Sequence, residues 1–172
     1  TALNIAQGTY IARIDADDIC VPNRFELQYN LAKRSELLVL VGSSHDEIDV
    51  LGNFTRSVDY PLADKPLRDR LHRRGPFFSH SSAFFRASTA RRIGGYRNRI
   101  KKAQDIDLWL RLSRVGQVAC IEERLVLLRK HRGQLSNNDS GFTQFLYSRV
   151  AFTSFLISNK GRKIQISFSS VS

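Results

Sequence analysis

The sequence predicts an α/β domain around a mixed, mainly parallel sheet flanked by helices. Stretches with the two-residue apolar period of strands alternate along the chain with segments whose apolar residues recur at helical spacing. The 172 residues suffice for one domain with its own core. The composition is that of a globular chain, 42% hydrophobic with only 10 Gly and 4 Pro, which excludes a disordered or low-complexity polypeptide.

The first predicted strand is GTYIARI, where Tyr10, Ala12 and Ile14 alternate with Ile11 and Arg13. It runs into DADD. Pro22 then suits the first position of a helix, because its φ is preset, and Phe25, Tyr29 and Ala32 continue at helical spacing. LLVLVGSS is a continuous apolar run and reads as a buried strand. HDEIDVLGNFTRSVDYP reads as two extended pieces about a turn at Leu51-Gly52-Asn53. LRDRLHRRG is a basic helix stopped by Gly75, and FFSHSSAFFR alternates as a strand. Ser88 is placed to cap a short helix, STARRI, that ends at Gly94-Gly95.

QDIDLWLRLSRVG has the strongest helical pattern: Ile106, Trp109 and Leu110 form one face, widened by Leu108 and Leu112. QVACIEERLVLLRKH is extended. The polar turn QLSNNDSG leads to a helix, FTQFLYSRVAFTSFLI, and the tail GRKIQISFSSVS is weakly patterned, as a disordered terminus would be. No internal repeat is present.

Lys and Arg number 27 against 16 Asp and Glu, a net charge of +11. That balance fits an anionic partner, whether nucleic acid, a phosphorylated small molecule or an acidic membrane surface, and equally a solvated basic surface. A nucleic-acid module is disfavoured, because the chain shows neither a recognised motif nor a basic face interleaved with aromatics. Cys20 and Cys120 belong to no CxxC pair, so neither a zinc site nor a disulfide framework is expected, and reduced, cytoplasmic thiols are the default. No signal peptide or membrane span is legible; FLYSRVAFTSFLIS is interrupted by Arg149 and too short. The expected location is the cytoplasm, including the inner face of its membrane. The chain opens on TALNIAQGTYIA without Met and enters a strand almost at once, as a fragment would.

The segment RIDADDIC concentrates Asp15, Asp17 and Asp18 directly after a strand. Like charges so close are costly unless a cation or a reaction uses them. In α/β sheets, ligands gather beyond the carboxyl ends of strands. Hard oxygen donors there suit Mg²⁺ or Mn²⁺, which in turn grip a substrate phosphate. The competing reading is an acidic loop before the next helix. An EF-hand does not fit, because Ile19 falls where a ligand is needed and Cys20 where Gly is needed. A DxD-type phosphatase would use Asp15 as a phosphoryl nucleophile, but the downstream Lys and second acidic pair it requires have no convincing copy.

The order of motifs decides among these. GTYIARIDADD is followed by Pro22, Arg24, Glu26 and Gln28 in a P-x-R-x-E-x-Q pattern; His80 to Arg86 give H-x-x-x-x-F-R. Gly94, Gly95 and Tyr96 come next, then QDIDLWLR from Gln104 to Arg111, then Arg129, His131, Gln134 and Ser136. This series resembles the family 2 glycosyltransferases of the GT-A fold, and the resemblance covers roughly residues 1–136. Residues 137–172 are left as a C-terminal helix and tail.

The resemblance implies inverting transfer of a sugar from a nucleotide-sugar donor to the hydroxyl of a saccharide or lipid-linked saccharide acceptor, in cell-surface polysaccharide synthesis. It implies a divalent metal, Mn²⁺ or Mg²⁺, held by Asp17 with Asp15 and His131. Asp15 and Asp18 would face the sugar or ribose, and Asp105 takes the position of the catalytic base. Gln104 stands where the family usually has Glu and, with Trp109 and Arg129, falls among the substrate-binding positions. The residues themselves leave other readings open: helix capping for Asp105 and Asp107, a surface loop for His131, a buried satisfied side chain for His80, and core packing for Trp109. The basic string RRIGGYRNRIKK is placed to attract a diphosphate or an anionic membrane. The family's opening V-S-V-I-I-P-x-Y-N strand and D-D-G-S loop are not among the 172 residues. The expectation is therefore a glycosyltransferase whose nucleotide pocket is only partly encoded here, with activity as a fragment left open; the alternative is a non-catalytic basic binding remnant.

Overall fold

The computed structural model describes residues 2–72, 77–98, 100, 102–131, 147 and 149–153. A short helix α1 (Ala2–Ile5) precedes strand β1 (Tyr10–Ala12). Strand β2 (Ile19–Cys20), helix α2 (Arg24–Ala32) and the long strand β3 (Leu38–Ile48) follow. Then come β4 (Phe54–Val58), α3 (Asp64–His72), a 3₁₀ turn (His80–Ser82), β5 (Phe84–Arg86), α4 (Ala87–Arg92), α5 (Gln104–Val115) and β6 (Gln117–Arg129).

The sheet runs in the order β1-β5-β3-β6-β2, with β4 hairpinned onto β3. It is mixed, as expected, but the expectation of a mainly parallel sheet is corrected. Among the described residues only β3 and β6 pair in parallel, and the other pairings are antiparallel. Parallel pairing needs a long crossover connection, which β3 and β6 have through α3, α4 and α5.

Strand β3 is buried along nearly its whole length, which explains its near-continuous apolar start. Helix α5 packs on it, with Leu108, Trp109, Leu110 and Leu112 all buried and Ile106 partly so. Phe77 and Phe78 complete this core, the Phe78 and Trp109 rings lying 5.1 Å apart. Gly42 is required here, because a Cβ on it would lie 2.1 Å from the Phe78 ring.

Several local expectations are revised. Helix α2 begins at Arg24, two residues beyond Pro22, and turns Phe25 and Tyr29 outward while burying Arg24, Gln28 and Ala32. The FFSHSSAFFR segment divides into the 3₁₀ turn and β5. Ser88 lies inside α4, whose N-cap position is Arg86, and makes no cap bond. The turns at Gly52 and at Gly94-Gly95 occur where foreseen, each glycine at positive φ. Residues 147 and 149–153 are helical, with Ala151 in the core. The tail, the boundary at 136/137, and Gln134 and Ser136 lie outside the described residues. No helix among the described residues is long and apolar enough to cross a membrane.

Candidate functional site

The acidic loop is held by three separate parts of the chain. Its start is fixed where β1 ends, the Arg13 N–H donating to the Ala83 carbonyl at 2.9 Å. Its far side is stitched to β6 by the Ile19–Leu127 pair and by Val21 N–H donating to the Leu125 carbonyl at 3.1 Å. From below, buried Arg24 donates to the carbonyls of Arg13 (2.8 Å) and Ala83 (3.3 Å) and to Gln28 Oε1 (3.0 Å), while Gln28 Nε2 donates to the Ser82 carbonyl (2.7 Å). The Arg and Gln of the P-x-R-x-E-x-Q pattern are thus internal braces. Glu26 is exposed.

Each carboxylate of the loop is partnered, and Ser81 serves both Asp15 and Asp18. Asp15 forms a two-pronged ion pair with Arg13. Asp18 accepts from the Ser81 hydroxyl and, through Oδ1, from the Arg129 N–H at 2.8 Å. Asp17 Oδ2 lies 3.0 Å from His131 Nε2. The His131 bond holds the Asp17 carboxyl below the usual carboxylate range, whereas burial pushes that of Asp18 upward against the pull of Ser81 and Arg129.

Arg129 was expected to touch substrate. In the structure its guanidinium donates to the carbonyls of Asp17 (3.1 Å), Asp49 (3.0 Å) and Val50 (3.1 Å). It ties the acidic loop to the β3–β4 turn, which Asp49 braces by accepting from the N–H groups of Leu51 and Asn53.

A second wing forms where α5 begins. Asp105 is half-buried on its first turn and Gln104, beside it, is exposed. Residue Ala103, at the N-cap position, has φ 55° and offers no side-chain cap. Asp107 does not cap either; it is buried and pairs with Arg111 (2.6 Å) and Arg97 (3.3 Å), while Arg111 also donates to the Gly95 carbonyl (2.6 Å). The Gly-Gly-Tyr segment is thereby locked to α5. Two arginines of the basic string are likewise engaged internally: Arg97 here, and Arg91 on the carbonyls of Leu3 and Ala6 at α1.

His80 packs against the Gly-Gly-Tyr segment and α5. Its Nε2 is 2.9 Å from the Tyr96 hydroxyl, and Trp109 stands edge-on to its ring at 5.9 Å. Burial lowers the His80 pKa to about 4, so the ring is neutral at physiological pH; the fields of Asp105 and Asp15 oppose that shift and Arg13 adds to it. Trp109 is fully buried against Phe78 and His80, with no ring face open to a sugar.

Among the described residues, no group of three or more His, Cys, Asp and Glu is gathered as a metal site. Asp15 is committed to Arg13, and Asp18 to Ser81 and Arg129. Asp17 and His131 remain as a carboxylate–imidazole pair. That donor set fits a divalent cation that completes its shell with water and substrate phosphate.

Sequence reasoning did not single out Ser81, Arg13 or Asp49. Ser81 lay inside a recognised segment, but nothing in its spacing distinguished it from Ser79 or Ser82. Arg13 is two residues ahead of Asp15, the spacing at which side chains share a face in extended chain, and that signal was readable.

The sequence model described as Glycosyl transferase family 2 matches residues 1–94. The amylovoran biosynthesis glycosyltransferase AmsE of Erwinia amylovora is 32% identical over 120 residues, covering 69% of this chain and 44% of that protein. The O-antigen biosynthesis glycosyltransferase WbnJ of Escherichia coli is 31% identical over 118 residues, covering 64% of this chain and 44% of that protein. The chain thus spans less than half the length of these relatives. Of solved structures, S. aureus TarS superposes with a TM-score of 0.60 at 12% identity, covering 89% of this chain and 26% of TarS. At that identity the likeness is one of fold.

Proposed function

The chain belongs to glycosyl transferase family 2 and has the GT-A-like α/β fold of its structural neighbours; from that premise we propose that it serves transfer of a sugar from a nucleotide-sugar to a saccharide hydroxyl with inversion. The observation that carries the reading is the meeting of Asp17, inside the matched region, with His131, beyond its end, at 3.0 Å beside the braced acidic loop.

In this reading the donor's diphosphate lies at the acidic loop. Asp17 and His131 would hold Mn²⁺ or Mg²⁺, whose chemistry when bound is to offset charge on the departing diphosphate. Asp105 takes the proton of the acceptor hydroxyl as general base. The acceptor oxygen then forms its bond to the anomeric carbon while the bond from that carbon to the diphosphate breaks on the opposite face, and a nucleoside diphosphate leaves. Asp105 lies on the first turn of a helix that is buried from Asp107 to Ser113, so the base is carried on a rigid element. Neutral His80, against Tyr96, adds no charge of its own. The acceptor is a saccharide or lipid-linked saccharide of a surface polysaccharide, as the names of the relatives suggest. The net charge of +11 suits approach to an anionic membrane surface.

The test is turnover of a panel of nucleotide-sugars with Mn²⁺, scored as nucleoside diphosphate released, in the native chain and in Asp17→Ala and Asp105→Asn. Loss of turnover in both variants is expected. Full activity in both would sink the assignment.

A further inference from the structure

The 3₁₀ turn His80–Ser82 reaches the Gly-Gly-Tyr segment, the acidic loop and α2 through consecutive residues. His80 faces Tyr96. Ser82 accepts Gln28 through its carbonyl at 2.7 Å. Ser81 lies between them, 1% exposed. Its Oγ lies 3.1 Å from Asp15 Oδ2 and in a short contact with Asp18 Oδ2, while the Asp15 N–H and the Arg13 guanidinium each donate to it at 3.2 Å.

A serine hydroxyl carries one proton. Two carboxylates compete for it here, and two donors occupy its lone pairs. We propose that Ser81 is a positioning residue that couples Asp15 to Asp18 and so sets the shape of the acidic loop that receives the diphosphate. When its proton serves Asp18, that carboxylate stays turned toward the Arg129 N–H and away from Asp17. Asp17 is then the one carboxylate of the loop left to face His131. Without the hydroxyl, Asp18 and Asp15 lose their shared donor, and repulsion among the three acids displaces Asp17. The inference rests on the transferase reading for its ligand. It adds a residue that touches neither metal nor sugar and acts through the carboxylates, as outer-shell partners of ligating carboxylates do.

The experiment is calorimetric titration of the full chain with a nucleoside diphosphate in Mn²⁺, using the native protein, Ser81→Ala, Ser81→Thr and Asp17→Ala, with thermal unfolding recorded for each. Binding by the native chain that Asp17→Ala abolishes supports the underlying reading; no native binding overturns that reading and this proposal with it. Given native binding, Ser81→Ala is expected to weaken it about 10- to 100-fold while still unfolding cooperatively, and Ser81→Thr, which keeps the hydroxyl, to recover most of the loss. Ser81→Ala binding within twofold of native, with only the unfolding temperature lowered, overturns the proposal whatever Thr does. A Thr variant that folds but binds no better than Ala also overturns it.

Discussion

Asp17 and His131 stand 114 positions apart in the chain and 3.0 Å apart in the fold. The contact depends on β6 running parallel to β3 until its end reaches the acidic loop, and on β2 tying that loop to β6. Both side chains are about one-third exposed, so the pair adds little to stability. His131→Ala should therefore unfold within about 1 kcal/mol of the native chain yet lose roughly tenfold or more of its Mn²⁺-dependent affinity for a nucleoside diphosphate. Chemical denaturation and titration calorimetry measure the two effects separately.

Arg24 presents the opposite case. It is fully buried and its guanidinium supports the carbonyl of Arg13, just after β1, and that of Ala83, just before β5. Arg24→Met leaves those carbonyls and Gln28 without their donor, and should cost about 2–4 kcal/mol in urea unfolding. Arg24→Lys should rescue little, since an ammonium cannot reproduce the guanidinium fork.

Gly42 admits no side chain. A Cβ there would overlap the Phe78 ring, which is itself packed on Trp109. Gly42→Ala should destabilise by about 1–3 kcal/mol, and the companion change Phe78→Leu, which makes room, should recover part of that loss in a double-mutant cycle.

His80 predicts a pH dependence. Its pKa falls from 6.5 in the unfolded chain to about 4 in the fold. Between those values the unfolded state binds the extra proton, so stability is complete above about pH 6.5 and declines as pH falls toward 4. Burial moves His45 in the same direction and adds to the slope. Unfolding free energies measured from pH 7 to 4.5 should fall, and His80→Gln should flatten that decline; an unchanged slope would contradict the burial assigned to His80.

Much of the fold was legible because the signals were local. The apolar run of β3, the helical period of α5 and the glycines ending α4 are each decided within a dozen residues. Helix α2 was misjudged on the same basis: Phe25 and Tyr29 look like its core face, but Arg24 and Gln28 take that face because strand ends need donors there, which is a tertiary demand. The mostly antiparallel sheet was hidden for a similar reason, since pairing direction depends on partners far along the chain. Asp15, Asp17, Asp18, Asp105 and His131 were singled out from their motifs as candidates, and the structure gathers Asp15, Asp17, Asp18 and His131 around one loop. That Arg129 would bind backbone carbonyls, that Asp107 would pair with Arg111, and that Ser81 would link two carboxylates follow only from the packed structure.

The central claim is that Asp105 is the base of a site whose diphosphate grip is Asp17 and His131. It is tested most directly by single-turnover transfer at saturating nucleotide-sugar and Mn²⁺, comparing the native chain with Asp105→Asn. The account predicts a rate lower by about 10²–10⁴-fold with nucleoside diphosphate affinity unchanged; an undiminished rate, or a loss confined to affinity, would contradict it.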